Sequence, residues 1–203
     1  MTASVTTPIR RTKRSRVMPA VLLGAAAFAL SACQDEEVEA SAFPDLQACQ
    51  QAAASGTVLF SAADCDATFQ EALVEYERSA PRYDDQALCE EQHGGGCVAQ
   101  EGTGGGGGSI FMPLMAGYLI GNMLNGNRAA TQPLYRDNTG RYATAGGSTV
   151  LNGNRGTTRL SPDSFRAAPA AAAPMTRASV NATGGFGSSR TSAAPAGRTS
   201  LGG

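Results

Sequence analysis

Between Asp45 and His93 the apolar positions recur at helical spacing in three stretches. Pro44-Asp45 opens the first, which runs to about Ala54 and is closed by Gly56. The second is the most regular: Cys65, Phe69, Ala72, Leu73 and Tyr76 share one face at i, i+4, i+7, i+8 and i+11. Ser61-Ala62-Ala63-Asp64 ahead of it resembles a capping box with Asp in place of the usual Glu, and Pro81 stops it. The third runs from Asp85 to about His93 and meets Gly94-Gly95-Gly96.

After a glycine linker over residues 101–109, Ile110 to Leu124 is free of charge. The run is too short to span a bilayer, which takes about 20 residues. Pro113 suits a first helical turn, and Gly117 and Gly121 form a GxxxG face. An apolar helix over residues 110–125 is therefore predicted, with Phe111, Leu114, Tyr118 and Leu119 as its contact residues. Three roles stay open for it: completing the core of the helical part, binding a partner or a second copy, or dipping into a membrane surface. Residues 126–150 predict a short hairpin, with Gln132-Pro133-Leu134-Tyr135 and Arg141-Tyr142 around the turn Asp137-Asn138-Thr139-Gly140. From 151 to 203 the chain is mostly Ala, Pro, Gly, Ser, Thr and Arg, the composition of a disordered tail. Gly184-Gly185-Phe186-Gly187 places a lone aromatic in it; a short contact motif is one reading, and part of the same tail is the favoured one.

The N-terminus carries the most specific pattern. Arg10, Arg11, Lys13, Arg14 and Arg16 precede an apolar stretch from Val17 to Leu30, and Leu30-Ser31-Ala32-Cys33 follows. Basic, apolar and small-residue regions in that order predict a signal peptide over residues 1–32. Leu30, Ser31, Ala32 and Cys33 resemble the lipobox of bacterial lipoproteins, whose cysteine receives diacylglycerol and an acyl chain such as palmitate. Two or three chains hold a protein on a membrane durably, whereas one does so only marginally. Gln34, in place of an Asp, favours the periplasmic face of the outer membrane over the inner membrane.

Cleavage there leaves 171 of the 203 residues, with an acidic tether over 33–42 and a small helical domain over 43–100. The expected fold is mainly α: a disulfide-bonded helical head, a short apolar helix, a small hairpin and a long disordered C-terminal tail. Charge divides the chain. Residues 34–101 hold fifteen acidic groups against Arg78 and Arg82, a net −13, and residues 102–203 hold nine Arg against Asp137 and Asp163, a net +7. The arginines either meet the acidic head, bind an anionic lipid or polymer, or are simply solvated.

Cys49, Cys65, Cys89 and Cys97 are even in number and expected in an oxidising compartment, so two disulfides are predicted. Three connectivities exist for four cysteines. The echo between Asp45-Leu-Gln-Ala-Cys49 and Asp85-Gln-Ala-Leu-Cys89 favours Cys49–Cys65 and Cys89–Cys97. Cys89, His93 and Cys97 are spaced as metal ligands can be, but no further His or Cys completes a set, so no metal is expected. A single histidine and no hydrolase, nucleotide or metalloprotease motif argue against an enzyme, a cofactor or a nucleic-acid partner.

The lipobox, Ser61-Ala-Ala-Asp-Cys65, Glu75-Tyr-Glu-Arg-Ser-Ala-Pro-Arg-Tyr83, the Cys89 and Cys97 pair, Phe111-Met-Pro-Leu-Met-Ala-Gly-Tyr118 and Gln132-Pro-Leu-Tyr135 occur in this order. In this the chain resembles the YgiB-like lipoproteins of Gram-negative bacteria, a family without an assigned activity. The resemblance implies an envelope role and, through a neighbouring gene in relatives, an ATP-grasp ligase as a partner. The function expected is a membrane-anchored, non-enzymatic scaffold that binds an envelope protein. The alternative is a module that binds an anionic envelope polymer or lipid through its arginine-rich tail.

Overall fold

A computed structural model describes residues 37–100, 109–121, 129–171 and 173–186. The chain enters at strand β1 (Val38–Phe43) and continues through helices α1 (Leu46–Ala54), α2 (Ala62–Ser79) and α3 (Gln86–His93). Strands β2 (Cys97–Gln100), β3 (Ile110–Pro113), β4 (Gly117–Gly121), β5 (Ala130–Arg136), β6 (Tyr142–Ala143), β7 (Val150–Leu151) and β8 (Gly156–Leu160) follow. A 3-10 turn at Pro162–Phe165 and helix α4 (Arg177–Thr183) complete it. Six strands form one curled antiparallel sheet in the order β7-β6-β5-β4-β1-β8, and β2 and β3 form a separate pair.

The three helices lie where the periodicity put them. Asp45 caps α1 by accepting from the Ala48 N–H at 2.8 Å. Ser61 and Asp64 cap α2 reciprocally, and Asp85 accepts from the Leu88 N–H at 2.8 Å to start α3.

The sheet overturns the mainly α expectation, and three segments account for the difference. The acidic tether was expected to reach residue 42, but residues 38–43 are β1, flanked by β4 and β8. Val38, Ala40 and Ala42 alternate there with Glu39, Ser41 and Phe43, a period of two that the acidic flank conceals. The segment expected as an apolar helix is β3 and β4 instead. All five residues of β4 are buried, and a short run buried on both sides has no periodicity to separate strand from helix. The end of that segment and the start of the expected hairpin region, residues 122–128, lie outside the described residues. The hairpin forms, with β5 and β6 paired at Tyr135–Ala143 and Arg136–Tyr142. Of the expected disordered tail, residues 151–171 and 173–186 are ordered as β8, the 3-10 turn and α4 with their connections. Residues 187–203 lie outside the described residues.

The two sheet faces pack differently. Phe43, Tyr118 and Ile120 face α1 and α2 and join the buried Cys49, Cys65 and Ala72. Phe69 meets Tyr118 edge-on with centroids 5.4 Å apart. The other face curls around Ala40, Ala42, Leu119 and Leu134 and is filled by Phe165. Gly121 is required there, because a Cβ would come within 2.6 Å of the Phe165 ring.

Candidate functional site

The polar centre of the described residues lies at the C-terminal end of α3. His93 is 2% exposed. Its Nδ1 is 2.7 Å from the Arg136 carbonyl oxygen, which can only accept, so Nδ1 carries the proton. Nε2 is then the acceptor, and the Tyr83 hydroxyl donates to it at 2.9 Å. Burial drives the imidazole pKa down to about 4, against the pull of the Arg136 carbonyl and of Asp137, so the ring is neutral near pH 7. Burial also pushes the Tyr83 phenol well above its ordinary range. Both groups are satisfied by each other in their neutral forms.

The lid over this pair comes from the far end of the chain. The Phe186 ring sits 4.4 Å from the His93 ring and 6.0 Å from that of Tyr135, centroid to centroid. The Phe186 N–H donates to Gln92 Oε1 at 2.9 Å. A side chain at Gly185 would collide with that same amide, and Gly185 has a φ of +81°. The Gly-Gly-Phe read as part of the tail is thus a docked contact. Its only trace in the sequence is one aromatic among small residues. Next to it, an open cavity of about 270 Å³ runs between Arg82, Gly146, Pro169, Met175 and Phe186.

Asp137 turns the β5–β6 hairpin. Its carboxylate is 1% exposed and accepts from Thr139 and from the Arg141 backbone and guanidinium. Burial pushes its pKa up, but these donors outweigh burial and hold it below the usual carboxylate value.

The residues singled out in the sequence are dispersed. Cys49 bonds Cys65 and Cys89 bonds Cys97, the two pairs that the internal echo favours. The spacing of Cys89, His93 and Cys97 therefore serves a disulfide and a buried hydrogen bond. Among the described residues no group of three His, Cys, Asp or Glu is arranged to hold a metal. Tyr118 and Leu119, expected at a partner surface, are 0% exposed and belong to opposite faces of the sheet. Phe111 is half-buried beside Leu88 and Cys89, and only Leu114, at 52%, is exposed. Leu30, Ser31, Ala32 and Cys33 lie outside the described residues. No helix among the described residues is long and apolar enough to cross a membrane.

What fold and contacts define is a curled-sheet module with two disulfides, closed by aromatic residues from its own C-terminal third. The family described as "Protein of unknown function (DUF1190)" matches residues 37–197, and the chain belongs to it. This is the YgiB family that the motifs resemble. A UPF0441 protein of Pectobacterium carotovorum is 32% identical over 190 residues, covering 85% of this chain and 80% of its own. A Klebsiella pneumoniae UPF0441 protein is 31% identical over 189 residues, covering 84% and 80%. One of Yersinia pseudotuberculosis is 29% identical over 204 residues, covering 89% and 84%. No solved structure matches the chain.

Proposed function

We propose that the protein is a lipoprotein of the bacterial envelope, held on the periplasmic side by acyl chains on Cys33, and that it acts there as a non-enzymatic scaffold for a protein partner. The observation that carries this reading is Leu30-Ser31-Ala32-Cys33 directly behind a basic and then an apolar stretch. Two disulfides, one of them wholly buried, fit an oxidising compartment. Gln34 favours the outer membrane. The His93–Tyr83 pair supports a scaffold over a catalyst, since both imidazole nitrogens are engaged and sealed from water.

Palmitate labelling and fractionation of the full chain test the anchor. Cys33→Ala should abolish labelling, because Cys33 is the acyl acceptor in this reading. A variant labelled and fractionated like the wild type would overturn the reading. Photo-cross-linking from Leu114, the exposed member of the expected contact set, tests the partner: one discrete adduct is expected.

The binding of an anionic polymer or lipid is the second reading. Arg155 and Arg159 favour it, because both are exposed and neither is in an ion pair among the described residues. Such binding should weaken steeply with salt.

A further inference from the structure

We propose that the open cavity between the end of α2 and the last third of the chain is a binding site for a small carboxylate with a short apolar body, held by Arg82. Such a site is separate from the anchor at Cys33 and from the partner contact at Leu114.

Four stretches distant in sequence wall this space of about 270 Å³. They are Ser79–Arg82 where α2 ends, Ala145–Gly147 between β6 and β7, the connection that follows the 3-10 turn, and Gly185-Phe186. Main-chain bonds fasten the connection to the first stretch. The Ala171 N–H donates to the Arg78 carbonyl at 2.8 Å, and the Met175 N–H donates to the Arg82 carbonyl at 2.7 Å. Nine of the fifteen lining residues are Ala or Gly, so the stretches meet without side chains long enough to fill the space between them. Its volume is that of about nine waters in the liquid, which limits an occupant to a small molecule or the end of a chain.

Arg82 is the only charged residue among the fifteen. It is in no ion pair among the described residues. Its Nη2 donates to the Glu77 carbonyl at 3.2 Å, whereas its Nε is buried and meets no acceptor among them. Arg78 shows what the same edge of a guanidinium does with a carboxylate in reach. Its Nε and Nη2 hold Glu75 at 2.9 and 2.6 Å. A planar, singly charged carboxylate matches that edge of Arg82 and gives its Nε the acceptor that the fold does not. Met175, Pro169 and Phe186 line the same space and offer apolar surface to the rest of the ligand.

The neighbouring negative groups leave this site to a ligand. Glu75 is taken by Arg78, and Asp163 by Arg166. Glu77 and Asp84 are exposed and line no part of the cavity, so they weaken the field of Arg82 without occupying its Nε. The carbonyl end of α2 would repel an anion if it were bare. Three of its last carbonyls are engaged: Tyr76 accepts from the Ala80 N–H, Glu77 from Arg82, and Arg78 from the Ala171 N–H.

Acetyl-Ala and acetyl-Ala-Ala-Ala, each as the free acid and as the amide, are the probes. Each would be titrated into the isotope-labelled, full mature chain in a nonionic detergent and followed by amide NMR. An acid should bind about tenfold tighter than its own amide, because only the acid forms the charge-assisted pair. The largest shifts should fall at Gly146, Gly147 and Gly185. Arg82→Gln should bring the ratio of acid to amide close to one. Equal affinity for the longer acid points to the C-terminus of a peptide as the natural ligand, and a preference for acetyl-Ala points to a free acid. Acid and amide that bind alike, no binding of either acid, or shifts away from these glycines would overturn the site. So would a folded Arg82→Gln that keeps the ratio. The comparison of acid with amide is made in the wild type, so it decides the matter even where the urea midpoint shows that Arg82→Gln disturbs the fold.

Discussion

Two phenylalanines from the last third of the chain each close a part of the fold, but they close it over different floors. Phe165 fills the curl of the sheet over Ala40, Ala42, Leu119 and Leu134, a floor without a titratable group. Phe186 covers His93, whose imidazole is bonded to Tyr83 and to the Arg136 carbonyl. The first contact is a matter of volume. The second holds only while His93 is neutral, because a protonated ring has a second N–H to place and a charge to bury. One closure should therefore respond to side-chain size and the other to pH.

The largest effect is expected at the apolar floor. Phe165→Ala removes a ring 8% exposed and leaves a cavity that the small residues around it are too short to fill, so it should cost about 3 kcal/mol. Urea unfolding measures this, and the loss should be the same at about pH 5 and pH 8, since no titrating partner is involved. A pH-dependent loss would mean that the two floors are coupled.

The polar floor gives the next effect. His93 has its folded pKa depressed to about 4 from 6.5, so its contribution is complete above pH 6.5 and is lost as pH falls toward 4. Across that window stability should fall by at most about 1.4 kcal/mol per pH unit on account of this group. In His93→Asn that component of the slope should vanish, and an unchanged slope would show that other groups cause it. His93 is the only histidine, so its NMR titration is unambiguous. Phe186→Ala should raise its pKa by admitting water to the ring.

Both closures were hidden in the sequence for the same physical reason. α1, α2 and α3 were legible because their caps and their 3.6-residue period are local, and Ser61, Asp64 and Pro81 mark their ends without reference to the rest of the chain. The disulfide pairs were legible as a local echo. β4 was not, since its meaning depends on β1, some eighty residues earlier, and on β5. Segments 156–165 and 176–186 have a tail's composition, and they fold because the sheet and α3 provide surfaces for Phe165, Val180 and Phe186. Nothing near them in sequence marks those surfaces. Of the candidate site, the cysteines could be read in advance, whereas burial of Tyr118 and Leu119 could not, because a run without charge looks alike in a core and at an interface.

The smallest effect separates packing from charge as the force that seats the last helix. Arg177 on α4 meets Glu91 on α3 at 2.9 Å, and their side chains are 57% and 55% exposed. An opposite-charge pair between the acidic head and the arginine-bearing part is what the charge division of the chain suggests. Exposed pairs of this kind couple by only about 0.2–1 kcal/mol, because water solvates both partners when they separate. The coupling measured in a cycle of Glu91→Gln and Arg177→Gln should fall in that range and shrink with added salt. Gly185→Ala should cost more, about 1–3 kcal/mol, since it drives a methyl group into the Gln92 amide that holds the Phe186 backbone. If the charge pair instead exceeded Gly185→Ala, the segment would be seated by electrostatics, and the closure over His93 would open with salt as well as with acid.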